Sequence, residues 1–239
     1  MVVVIRAEDV GLLEGWLALL DLTQAHPTGW TLIGAQMVAL HAAEQGRTGP
    51  RQSLDLDILV NARLLADGTE HVARSLLNLG FDLDGQDAFG VGHRFRRGRA
   101  TIDVLAPDGL SDRTRIVTVA PARTISVPGG TQALARSEVV GVQIGERGGS
   151  IPRPSLLGAI LIKARAVSVD DVPEAQRIDL AFLLALVEKP RSLRAELRGK
   201  ERTWLLERAE LLDPTHPAWR AVDAAEVGQR ALRVLTVDA

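Results

Sequence analysis

The stretch GAQMVALHAAEQGRTGPRQSLDLDILV, residues 34–60, sets the problem. A glycine precedes apolar positions Ala35, Val38, Ala39 and Ala42, spaced i, i+3, i+4 and i+7 like one face of a helix. Two glycines and a proline in QGRTGPRQ then break the pattern. Residues 54–60 alternate like a strand, which sends Leu54, Leu56, Ile58 and Val60 to one face and Asp55, Asp57 and Leu59 to the other. Two carboxylates on one strand face repel and raise each other's pKa, so they need a cation between them.

Working outward, residues 9–20 (DVGLLEGWLALL) read as an amphipathic helix capped by Asp9. HPTG is a turn, and residues 30–33 form a short strand stopped by Gly34. Downstream, GTEHVARSLLNLG reads as a helix ending at Gly80, and residues 81–83 as another strand. VGHRF and RATIDVLA, separated by RRG, have the form of a hairpin. In its second strand Thr101, Asp103 and Leu105 share a face opposite Ile102 and Val104. If this strand lies beside residues 54–60, Asp55, Asp57 and Asp103 converge, and an all-oxygen site of that kind suits Mg²⁺ or Mn²⁺. The turn at Gly34 would offer backbone N–H groups and a helix N-terminus to phosphate.

RTRIVTV and EVVGVQI add β-rich material, and GERGGS marks a change of character. From Pro154 the segments PSLLGAILIKARA, PEAQRIDLAFLLALVEK, RSLRAELRG and RTWLLERAELL read as helices, as does the last stretch to Ala239. The expected organisation is therefore an α+β unit over residues 1–150, followed by a helical unit over residues 151–239. Lys163 falls on the apolar stripe of Leu156, Ala159 and Ile160, and Asp179 on that of Phe182, Leu183 and Leu186. Charges so placed need partners. They form either a structural ion pair between packed helices or part of a polar site.

Composition narrows the classes. Apolar residues make up 46% and net charge is −2, which fits a globular chain without a global field for nucleic acid. The basic residues comprise 25 Arg and three Lys, Lys163, Lys189 and Lys200. The chain has no cysteine, so disulfides, zinc ribbons and thiol nucleophiles are excluded. The run MVVVIRAEDV is too short for a signal peptide and no stretch approaches a membrane span, so a soluble, cytoplasmic protein is expected.

Taken in order, IGAQMVALH (33–41), RQSLDLDILV (51–60), HRF with TIDVLAP (93–107), LLGAILIKARA (156–166) and RIDLAFLL (177–184) resemble the nucleotidyltransferase superfamily of polymerase-β type. Within it they look like the AbiEii toxins of type IV toxin–antitoxin systems. The resemblance spans residues 28–188 and implies a mixed sheet with flanking helices, a nucleoside triphosphate and Mg²⁺ as co-substrates, and nucleotidyl transfer with loss of pyrophosphate. It assigns the metals to Asp55, Asp57 and Asp103, and makes Asp103 the general base as well. Triphosphate contacts would come from Gly34, Ala35, Arg51, Ser53 and Lys163, with Asp179 or Arg177 orienting the lysine. Where the family carries a second glycine or a serine, this chain has Ala35, which leaves that phosphate contact to backbone donors.

The resemblance also suggests a tRNA or other RNA acceptor and an antitoxin partner. Arg94, Arg96 and Arg97, in the hairpin beside Asp103, are candidates to hold a phosphate backbone, or else are a solvated turn. His41, one helix from the glycine turn, is expected to pack. Two alternatives stay open: a catalytically silent binding module on the same fold, and an antibiotic-modifying nucleotidyltransferase, which would need an acidic pocket for a cationic drug.

Overall fold

The computed structural model describes residues 2–64, 67–111 and 113–237. Strand β1 (Val2–Ile5) leads into helix α1 (Val10–Ala25), where the Asp9 carboxylate accepts the Leu12 N–H at 3.0 Å as the sequence predicts. Strand β2 (Trp30–Ile33) passes directly into helix α2 (Gly34–Glu44), and β3 (Asp55–Val60) follows the Gly/Pro loop. Helix α3 (Gly68–Asn78) and the short β4 (Asp82–Leu83) precede the hairpin of β5 (Arg94–Arg97) and β6 (Ala100–Pro107). These strands form a mixed sheet in the order β2-β3-β6-β5-β4, with β7 (Ser126–Val127) paired to the end of β6. Strand β3 is antiparallel to β2 and parallel to β6.

Helix α4 (Gly130–Ala135) connects to the hairpin of β8 (Ser137–Ile144) and β9 (Arg147–Pro154). Strand β1 adds to this hairpin in parallel with β8, making a second, three-stranded sheet. Helix α1 lies against both sheets, close enough that a Cβ on Gly15 would stand 2.3 Å from Leu56 Cδ1, and its Trp16 is buried. The remaining chain is helical: α5 (Leu156–Ala166), α6 (Pro173–Ala185), α7 (Pro190–Ala195), α8 (Glu201–Leu206), two 3₁₀ turns (Ala209–Leu212 and Pro217–Ala221) and α9 (Ala225–Thr236). The last two residues of the expected terminal helix lie outside the described residues. One apolar core joins the sheets to the helices, from Trp16 and Phe95 to Leu184 and Leu232. The fold is thus α+β, mixed sheets with flanking helices.

Two local expectations change, and two strands appear that the sequence did not signal. Leu54 precedes β3 and is 51% exposed, whereas Leu59, on the aspartate face, is fully buried because α4 lies over it at Gly130. RTRIVTV forms only an isolated bridge from Val117 to Arg123. Its polar groups are satisfied elsewhere: Val117 O accepts the Thr69 hydroxyl at 2.6 Å, and the Thr118 hydroxyl donates to Gly92 O. Residues 2–5 are a strand whose partner lies almost 140 residues away, beyond the reach of local pattern. GERGGSIPRP hides β9, an edge strand, and its prolines stand at alternate positions, 152 and 154, where a missing N–H costs nothing on the open side.

Candidate active site

Parallel pairing of β3 with β6 sets Asp57 directly beside Asp103 and Asp55 beside Thr101. The three carboxylates of residues 55, 57 and 103 therefore share one face of adjacent strands. Ile33, the last residue of β2, pairs with Asp57, so the chain reverses into α2 against that carboxylate. Gly34 makes the turn with φ +73°, and a Cβ on it would stand 1.8 Å from Asp57 Oδ2. Backbone conformation and lack of space both require glycine here. Ala35 follows, buried in the first turn of α2, whose end carries no side-chain cap. Gln36 Nε2 donates to the backbone O of Ser53 and so pins the start of α2 to the segment entering β3.

Arg94 stands on β5 directly across from Asp103. Its Nε and Nη2 donate to the two oxygens of Asp103 at 2.9 and 2.8 Å, and Nη2 also reaches Asp55 Oδ2 at 3.3 Å. Asp103 is nearly buried, while Arg94 and Asp55 remain 38% and 43% exposed. Burial pushes the Asp57 carboxyl up to about 7, reinforced by Asp103 and Asp55 and opposed by Lys163 and Arg94.

A second ion cluster lies alongside. Asp179 on α6 is fully buried, and Arg51 grips it with Nε and Nη2 at 2.9 and 2.8 Å. Lys163 on α5 adds a contact to Asp179 Oδ2 at 2.7 Å and donates to Gln176 Oε1 at 2.8 Å. Gln176 is fixed in turn, through Nε2, by Asp170. The Lys163–Asp179 pair links α5 to α6, as a structural bridge would. Lys163 also lines, with Gly34, Asp57 and Gln176, a cavity of ≈ 460 Å³. The rest of the lining is mostly apolar, Leu105, Ile125, Val127 and Ile162 among it, with Ser126 and the Asp170 carboxylate as further polar members.

The structure thus gathers Gly34, Asp57 and Lys163 around one cavity, with Asp55, Asp103 and Arg94 in an ion cluster behind Asp57. Arg51 and Asp179 hold Lys163 from the protein side. Ser53 meets α2 through its backbone. Arg96 lies on the aspartate face of β5, two residues from Arg94, but pairs with Asp84 at 3.0 Å, whereas Arg97, on the opposite face, lies over the Phe81 ring and donates to Leu79 O. His41 is buried, with Nε2 3.1 Å from Pro154 O, and burial lowers it to about 3. It packs as expected. Sequence reasoning missed Gln176, although it precedes Asp179 by one helical turn on the same face of α6. It also missed the aliphatic wall, whose residues come from three separated segments.

Asp55, Asp57 and Asp103 offer carboxylate oxygens, the kind of donor that hard divalent cations take. Arg94 already stands among them as a cation, which marks the need for positive charge there. As the side chains stand, no group of three or more His, Cys, Asp or Glu among the described residues is arranged to hold a metal.

No protein-family model and no curated protein matches the chain. Among solved structures it superposes on an antigenic nucleotidyltransferase-like protein from Paracoccidioides brasiliensis with a TM-score of 0.53, at 11% identity over 95% of this chain and 94% of that one. The fold is nucleotidyltransferase-like. A solution structure of the antibiotic-resistance factor ANT(2'')-Ia aligns over 85% of this chain and 96% of that one at 14% identity, with a TM-score of 0.43, too low to argue from. No described helix is long and apolar enough to cross a membrane.

Proposed function

We propose that the chain is a divalent-metal-dependent nucleotidyltransferase. The observation that carries this reading is the pairing of Asp57 with Asp103 beside the tight glycine turn at Gly34, at a cavity that Lys163 also lines. Gly34, Ala35 and the uncapped N-terminus of α2 receive the triphosphate, with Arg51 and Ser53 behind them. Lys163 neutralises phosphate charge and is oriented by Asp179 and Gln176. Asp55, Asp57 and Asp103 would hold Mg²⁺ or Mn²⁺, which when bound would supply charge neutralisation at the phosphates. Asp103 accepts the proton of the attacking hydroxyl, for which Arg94 must first leave its oxygens. Positioning and charge compensation then carry most of the catalysis.

In this reading residues 1–150 carry the chemistry and residues 151–239 supply Lys163 and Asp179. The resemblance to AbiEii toxins extends the proposal to an RNA acceptor, an antitoxin partner and a cytoplasmic site of action. The decisive assay incubates the protein with Mg²⁺, each α-labelled NTP in turn and total RNA, beside Asp57→Asn. Label entering RNA with the wild type only is the expected result. Label on protein would replace the acceptor, and no transfer with any NTP would end the proposal in favour of a binding module, the reading that the grip of Arg94 on Asp103 favours.

A further inference from the structure

One cation makes the direct contacts to the carboxylates. Arg94 bonds to Asp103 and Asp55, while the Lys163 ammonium contacts the buried Asp179 and acts on Asp57 only through its field. Asp55 and Asp103 are absent from the cavity lining, where Asp57 alone of the three appears. Both oxygens of Asp103 are occupied by Arg94, at 2.9 and 2.8 Å, and the same guanidinium reaches across to Asp55. An incoming divalent ion can therefore reach Asp57 from the cavity, but not Asp103 or the bridged oxygen of Asp55 until Arg94 withdraws.

Two features make this grip an exchangeable one. Arg94 and Asp103 are cross-strand partners, so the side chains meet without rearrangement of the backbone. Arg94 is also 38% exposed, so on leaving the carboxylates its guanidinium has water to bond to. Arg51 is held by the same bidentate geometry, but onto a fully buried aspartate that also binds Lys163, and nothing competes with it there.

We propose that Arg94 is a resident cation of the carboxylate site, which competes with the divalent ion for Asp103 and Asp55 and so limits ion affinity. The inference rests on the reading of Asp55, Asp57 and Asp103 as an ion site, and it reassigns Arg94 from an acceptor contact to a positioning residue. When an ion enters, Arg94 is displaced as a whole guanidinium, with no bond made or broken beyond its hydrogen bonds. The released side chain stays on β5 at the edge of the site, next to whatever anion arrives with the metal.

The test is a calorimetric titration of Mn²⁺ into the full chain, without nucleotide, for wild type, Arg94→Gln, Arg94→Lys and Asp57→Asn. Removal of the competitor should tighten Mn²⁺ binding at least tenfold in Arg94→Gln. Arg94→Lys should fall between, since one ammonium cannot engage both Asp103 oxygens and Asp55 together. A purely structural arginine predicts the opposite, weaker binding as the strands loosen. Equal or weaker Mn²⁺ affinity in Arg94→Gln, with Asp57→Asn losing it, overturns the competition and leaves the ion site standing. Mn²⁺ binding that no substitution alters, or none at all in any protein, removes the ion site and this inference with it. Melting curves with and without Mn²⁺ give a second readout: the ion should raise the melting temperature of Arg94→Gln more than that of wild type. If Arg94→Gln does not fold, Arg94→Lys reads the same sign.

Discussion

The Arg94–Asp103 and Arg51–Asp179 clusters make the same bond with opposite surpluses. Each joins a guanidinium to an aspartate through Nε and Nη2 at 2.9 and 2.8 Å. Around Asp103 one arginine serves two aspartates, with Asp57, its carboxyl raised to about 7, beside them; around Asp179 one buried aspartate serves an arginine and a lysine. The first cluster lacks positive charge and the second has it in excess. Both reach the cavity, the first through Asp57 and the second through Lys163. Geometry alone does not set the role of an ion pair; the local sum of charge does.

Opposite surpluses should respond in opposite ways to loss of a carboxylate. Asp179→Asn leaves two cations without their buried partner, and denaturant unfolding should record a loss of roughly 3–5 kcal/mol. Asp57→Asn replaces a carboxyl that burial and its neighbours already raise to about 7, so its melting temperature should hold or rise, while the proposed nucleotidyl transfer should fall by about 10²–10³-fold. If both variants lose stability alike, the contrast between the clusters is wrong. Gly34→Ala probes the wall between them: it forces a side chain into the left-handed region, at about 1–2 kcal/mol, and drives a methyl against Asp57. Its transfer rate should drop with that of Asp57→Asn, and unlike that variant it should also be less stable.

His41 offers a control outside both clusters. Its folded pKa is lowered to about 3, so the unfolded chain binds more protons as pH falls below 6.5. Its share of stability is complete above pH 6.5 and is lost as pH descends toward 3, a loss of about 2 kcal/mol by pH 5. Urea melts of wild type and His41→Gln across that range should converge at low pH. The smallest effect belongs to Arg96→Ala, which breaks an exposed pair with Asp84 and should change stability by no more than about 0.5–1 kcal/mol.

The carboxylate side was legible because period-2 patterning fixes which side chains share a face, and one parallel pairing then aligns Asp57 with Asp103. Lys163 and Asp179 stood out as charges on apolar helical stripes, which ordinary surfaces do not produce. The partner chosen by Arg94 was not legible, since hairpin register decides between solvent and Asp103 and a shift of one residue would reverse it. Strand β9 was hidden by its glycines and prolines, and β1 by a partner remote in sequence. Gly34 was readable as a turn, but its contact with Asp57 depends on where β2 ends relative to β3.

That remote pairing has a consequence for assembly in time. Strand β1 leaves the ribosome first among the described strands, yet its partner β8 ends at Ile144. Until then Val2 and Val4 belong to an unpaired edge with no sheet to join. The six-stranded sheet, whose strands lie within residues 30–127, can form before the smaller one closes. Closing that loop late is entropically slow. Of the two sheets, the one carrying the aspartates should acquire protection from hydrogen exchange earlier during refolding, and β1 should be among the last strands to gain it.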